Sequence, residues 1–107
     1  MEAQSPICQQ LFNDMGVHTF REFGLRAGDM KFDYGELELV LYDDVDGDYN
    51  SDKYRDYAYD VADDWLANTF VEWPDPSQDT PEMRADRDRI RRVFYEDAVE
   101  FGKDRFG

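Results

Sequence analysis

From Ser51 onward the apolar residues return at helical spacing while the acids fall into an arc of their own. At 100° per residue, Tyr54, Tyr57, Ala58, Val61, Ala62 and Trp65 lie within roughly 140° of one another. Asp52, Asp56, Asp60, Asp63 and Asp64 occupy a separate arc of about 120°. A segment so divided is stable as a surface helix that buries one face and wets the other. Ser51 suits its N-cap, and the pattern carries it to about Asn68 or Phe70. Just ahead, residues 43–51 crowd Asp, Gly and Asn without any period, which predicts a loop. Across 43–64, nine aspartates face only Lys53 and Arg55, a formal −7 and half of the chain's −14.

Charge of this size bounds the class of partner. The 26 Asp and Glu stand against 12 Lys and Arg, the wrong sign for a nucleic-acid binder or for an anionic membrane. Aromatics make up 16% of the chain, whereas disordered acidic chains lack them. The chain is therefore expected to fold, as a single domain over 1–107, with basic partners as the complement of its surface. Cys8 is the only cysteine, which rules out an internal disulfide and suits a reducing compartment. The first residues, MEAQSPICQQLF, have neither a basic nor an apolar leader region, and no run reaches membrane length. A cytoplasmic location follows as an expectation.

Around the central helix the other elements are shorter. Ser5 and Pro6 open a helix over 5–15, with Ile7, Leu11 and Phe12 as its stripe and Gly16 as its left-handed stop. Over 17–25, Thr19 and Glu22 have capping-box spacing and fit a second short helix ending at Gly24; a strand fits the same residues. Met30, Phe32 and Tyr34 alternate with polar residues, as do Leu37, Leu39 and Leu41, with a parity slip at Gly35-Glu36. That pattern predicts two strands joined by a bulge or tight turn. Thr80 and Pro81 then open a last helix, with Met83, Ile90, Phe94, Ala98 and Phe101 on one face and Gly102 as its end. The expected fold is α+β, with three to four helices and a small antiparallel sheet.

Three candidate chemistries are weak. Asp44, Asp46 and Asp48 resemble the opening of an EF-hand calcium loop, but Tyr49 stands where the turn needs glycine and Arg55 where it needs an acidic ligand. One His and one Cys do not make a zinc set, so no metal and no cofactor is expected. His18 is the sole histidine, Ser5, Ser51 and Ser77 sit in caps and loops, and no nucleophile elbow or phosphate loop is present. No catalytic residue is assigned, and the chain reads as a non-enzyme. Arg84, Arg87, Arg89, Arg91 and Arg92 are interleaved with Glu82, Asp86 and Asp88, the pattern of an ion-paired face.

The acidic surface remains. Asp52, Asp56, Asp60 and Asp64 recur every four residues, roughly 6 Å along a helix axis, and Asp43, Asp44, Asp46 and Asp48 extend the array beyond its N-terminus. Tyr42, Tyr49 and Tyr59 stand among the acids as anchoring area for a protein interface. In size, charge and layout the chain resembles the small acidic DNA-mimic inhibitors of phages and mobile elements, such as anti-restriction and anti-CRISPR proteins. The resemblance carries no residue across, because those proteins share no motif. It implies a non-enzymatic inhibitor whose acids, Asp63 included, occupy the basic nucleic-acid-binding site of another protein. An immunity protein against a basic toxin nuclease fits the same surface. A salt-adapted acidic domain is the remaining alternative, given three lysines to nine arginines.

Overall fold

The computed structural model describes residues 2–69, 73 and 75–106, and among them it contains helices and no strand. Five α-helices follow in order: α1 (Pro6–Met15), α2 (Phe20–Ala27), α3 (Tyr34–Leu39), α4 (Asp52–Thr69) and α5 (Pro81–Phe106). Helix α5, at 26 residues, is about 39 Å long by its rise and sets the molecule's longest extent of 39 Å. Helix α4 pairs with it, and α1 and α2 pack across the same helix. The expected α+β fold is thus overturned; the domain is all-helical.

Residues 30–41 account for the error. Leu37, Leu39 and Leu41 read as one face of a strand, yet Leu37 and Leu41 are fully buried while Leu39 is 62% exposed. The residues that share a side are Tyr34, Leu37 and Leu41, with helical spacing. Asp33 starts the helix by accepting hydrogen bonds from the Gly35 and Glu36 amides through its side chain. Gly35, expected at a bulge or tight turn, is the second residue of α3. Two strands alone would also have left unpaired edges, whereas a helix satisfies its own backbone. Short apolar runs fit either period, and here burial decides between them.

The caps are placed as their residues dictate. Ser5 Oγ accepts from the Cys8 amide, Thr19 Oγ1 from Glu22, Ser51 Oγ from Tyr54 and Thr80 Oγ1 from Met83. Glu22 reaches back to the His18 amide at 2.8 Å, one residue before the cap. Gly16 ends α1 at φ 70°, the left-handed conformation that glycine adopts without cost.

Two glycines expected as helix stops are instead points of close approach. Helix α2 passes Gly24 and ends at Ala27; a Cβ at Gly24 would lie 2.8 Å from Val93 Cγ1 of α5, so the glycine serves close packing. Helix α5 likewise passes Gly102, where a Cβ would collide with the Tyr49 side chain. The strand reading of 17–25 falls with the first of these.

Aromatics fill the space between the helices. Phe12 meets Phe20 edge-on at 4.9 Å and stacks on Phe23 at 5.9 Å, and Trp65 meets both Phe23 and Phe94. Tyr54, wholly buried, donates its hydroxyl to the Ala98 carbonyl at 2.7 Å and ties α4 to α5. Trp73 is buried as well, so it is no surface anchor. Phe70, one expected end of α4, lies outside the described residues; α4 is described through Thr69.

Candidate protein-docking surface

Burial of Tyr54, Ala58, Ala62 and Leu66 fixes the rotation of α4 about its axis. That rotation turns Asp52, Asp56, Asp60 and Asp64 outward, and all four are exposed. Asp63 is on the edge nearer α5, and its carboxylate is occupied. Arg91 grips it bidentately, Nε at 3.1 Å and Nη2 at 2.7 Å, and Arg87 Nη1 adds a third bond at 3.0 Å. Asp63 was expected among the partner-facing acids; the structure gives it to the α4–α5 seam.

The loop ahead of α4 is ordered by its own backbone and by the end of α5. Residues Val40–Asp44 form one wide π turn, closed by the Val45 amide on the Val40 carbonyl at 3.2 Å. Asp46 and Gly47 both adopt positive φ, at 50° and 79°, and the Gly47 amide donates to the Leu41 carbonyl at 2.7 Å. The ring of Phe106 sits where a Gly47 side chain would be. Asp43, Asp44, Asp46 and Asp48 are exposed on this scaffold, and Asp48 also accepts from the Asn50 amide. Among the described residues, no three His, Cys, Asp or Glu side chains converge as a metal ion requires.

Exposure leaves a defined set of unpaired charge. Arg55 lies 3.5 Å from Asp52 and 3.4 Å from Asp56, surface pairs of little energetic weight. Among the described residues, Asp43, Asp44, Asp46, Asp60 and Asp64 have no cation within ion-pair distance. The tyrosines fare differently. Tyr49 is half-buried against Gly102. Tyr59 is flanked by the Arg55 and Arg91 guanidiniums, each 5.8 Å from its ring centre, and meets Tyr95 edge-on. Neither is a free anchor. Tyr42, 45% exposed beside Phe106, keeps that character.

The arginines of α5 contrast with this edge. Arg87, 1% exposed, holds the buried Asp79 carboxylate at 2.6 Å and 3.2 Å and lies over the Trp73 ring. Arg91 also reaches Asp88, and its hydrogen bonds to Asp63 hold its guanidinium above the usual arginine range. Asp86, fully buried, accepts the Gln4 and Ser5 amides at 3.1 Å and 2.7 Å and so anchors the N-terminal segment. Cys8 lies next to Asp86; burial first, and the carboxylate second, push its thiol well above the ordinary range. Arg84, Arg87, Arg89 and Arg91 are thus paired within the fold, as their interleaved signs imply.

Ser5 and Ser51 accept capping amides, Ser77 Oγ donates to Asp75, and His18 is exposed at the α1–α2 turn. Arg92, grouped by sequence with the ion-paired arginines, departs from that expectation. It is exposed and, among the described residues, makes no ion pair or hydrogen bond. Its helical phase was the available signal: it lies opposite the Ile90–Phe94–Ala98 stripe. No family model, curated protein or solved structure matches the chain.

Proposed function

We propose that the protein is a non-enzymatic inhibitor that mimics nucleic acid, its acidic edge occupying the basic nucleic-acid-binding site of another protein. One observation carries the reading. Eight exposed carboxylates, Asp43, Asp44, Asp46, Asp48, Asp52, Asp56, Asp60 and Asp64, follow one another from a clamped loop along a packed helix. Acids with structural work, Asp63, Asp79 and Asp86, are segregated elsewhere. Along α4 the spacing is roughly 6 Å, against about 3.4 Å for the phosphates of one duplex strand. The row is sparser than a strand, and the loop acids add density at one end. Lysines and arginines of the target would pair with these acids, and nucleic acid would be excluded from the same site by occupancy.

Affinity capture with the wild-type chain and with Asp56→Asn/Asp60→Asn/Asp64→Asn provides the test. The wild type is expected to retain a basic nucleic-acid-binding protein, to displace a fluorescent duplex from it, and to lose both properties in the variant. Retention should also weaken steeply between low and physiological salt. A complex that holds the duplex and the chain together, or that survives the triple change, overturns the proposal.

A further inference from the structure

The same helix that holds the internal ion pairs also borders a groove of opposite character to the acidic edge. Between α2 and α5 lies an open concavity of about 610 Å³. Phe20, Leu25 and Val93 supply its apolar surface, and Arg21, Lys31, Arg89 and Arg92 its cations. Gly24 creates it by letting α2 close on Val93. Leu25 is 75% exposed although it lies within a well-packed helix, an apolar side chain with no internal use.

Four cations line the groove, Arg21, Lys31, Arg89 and Arg92, against three acids, Glu2, Glu96 and Asp97. Of its acids, Asp97 is held by Lys31 at 3.7 Å and by the Tyr34 hydroxyl at 2.9 Å, and Glu2 accepts the Phe20 amide. Glu2 keeps its charge, since that amide is neutral, and Glu96 makes no ion pair or hydrogen bond among the described residues. Arg21 and Arg92 are exposed and, among the described residues, unpaired, in a chain with more than twice as many acids as bases. Arg89 is preset: its guanidinium lies 5.6 Å from the Phe20 ring centre, 3.7 Å from buried Asp86 and 3.2 Å from the Glu2 carbonyl. Arg92 also lines the adjoining hollows beside Tyr59 and Tyr95, which extends the surface toward α4. Arginine and tyrosine around an apolar floor are the residue types that dominate binding energy at protein interfaces.

We propose that this groove is a second docking surface, separate from the acidic edge, for a short acidic segment of a partner protein that inserts an apolar side chain beside Leu25 and places carboxylates on Arg21 and Arg92. Charge complementarity selects the occupant. A basic or neutral segment would leave both guanidiniums unmatched, and an arginine fork takes a carboxylate bidentately. The surface works independently of whether the acidic edge mimics nucleic acid.

Selection of a random peptide library on the full-length chain tests this. Arg21→Glu/Arg92→Glu serves as the counter-selection; both side chains are exposed and unpaired, so the variant should fold, as circular dichroism would verify. Enriched peptides are expected to pair an apolar residue with flanking Asp or Glu, and to lose about tenfold or more in affinity on the variant. Leu25→Ser should weaken the same peptides, and Asp60→Asn should leave them unchanged. Enrichment of basic peptides alone, or of acidic peptides that bind the double variant equally well, overturns the proposal. Concentration-dependent self-association of the wild type that Arg92→Glu abolishes also overturns it, because the occupant is then a second copy.

Discussion

Helix α4 and the first half of α5 are both rich in charge and use it in opposite ways. On α4 the acids of the outer edge have little to pair with and point into water. On α5 acids and arginines alternate, and Arg87, Arg91, Asp79 and Asp63 close into a network that is mostly out of solvent. Asp63 shows how narrow the boundary is: it adjoins Asp64 in sequence, yet one is held by two arginines and the other by none. The lesson is that a run of acids is not one feature. Rotation by a single residue decides between structural and exposed.

That contrast breaks most readily at Arg87. Arg87→Met keeps much of the side-chain volume but leaves Asp79, whose side chain is 1% exposed, without its bidentate partner. Stability should fall by about 3–5 kcal/mol, the cost of stranding one charge of a buried pair, read as a shift of the urea midpoint. No substitution of an acid on the outer edge of α4 should approach this.

Alkaline pH probes the other face of α4. Burial pushes the Tyr57 hydroxyl up to about 12 from its ordinary 10.0, with Glu36 and Asp33 adding to the effect, and raises Tyr54 further. The folded state then holds protons that the unfolded chain releases above pH 10, so stability falls as pH rises through that value. Urea midpoints should decline from pH 10 to pH 12, and Tyr57→Phe should flatten part of that decline.

Gly102→Ala sharpens the account of the acidic loop. Alanine favours a helix interior by about 1 kcal/mol over glycine, so an unencumbered site would be stabilised. Contact with Tyr49 reverses the sign, and a net loss of about 1–3 kcal/mol is expected, the usual range for overpacking. Hydrogen exchange should quicken at the Gly47 and Asp48 amides, since Tyr49 carries that loop. Stabilisation without change in exchange would mean that the end of α5 does not hold the acids in place.

How much of this was readable beforehand follows a physical rule. Caps and amphipathic stripes are local, and Ser5, Thr19, Ser51 and Thr80 all start helices as their positions imply. The interleaving of 82–92 likewise announced the ion pairs of Arg84, Arg87, Arg89 and Arg91, but not that Arg92 stays out of them. What escaped notice depends on neighbours distant in sequence. Gly24 and Gly102 look like stops until another element is seen lying against them, and Leu37 and Leu41 satisfy two periods until burial picks one. The acidic edge was legible as a direction on α4, but not the removal of Asp63 from it, since Arg87 and Arg91 reach it across 24 and 28 residues. Arg21 and Arg92 converge on one groove only in three dimensions.

The finest test compares acids on the same helix. Asp63→Asn removes the charge that holds Arg87 and Arg91 together and should cost about 1–3 kcal/mol, the penalty for disrupting buried charge-assisted hydrogen bonds. Asp60→Asn should be neutral within about 0.5 kcal/mol. Extending it to Asp56→Asn/Asp60→Asn/Asp64→Asn should leave the thermal midpoint unchanged or slightly raised, because each neutralisation relieves self-repulsion in a chain of net charge −14. The direction carries the argument. If the triple change destabilises the fold, the outer acids have intramolecular work, and the division between the two edges of α4 collapses. If stability holds while the captured partner is lost, acids that do nothing for the fold are acids kept for another molecule.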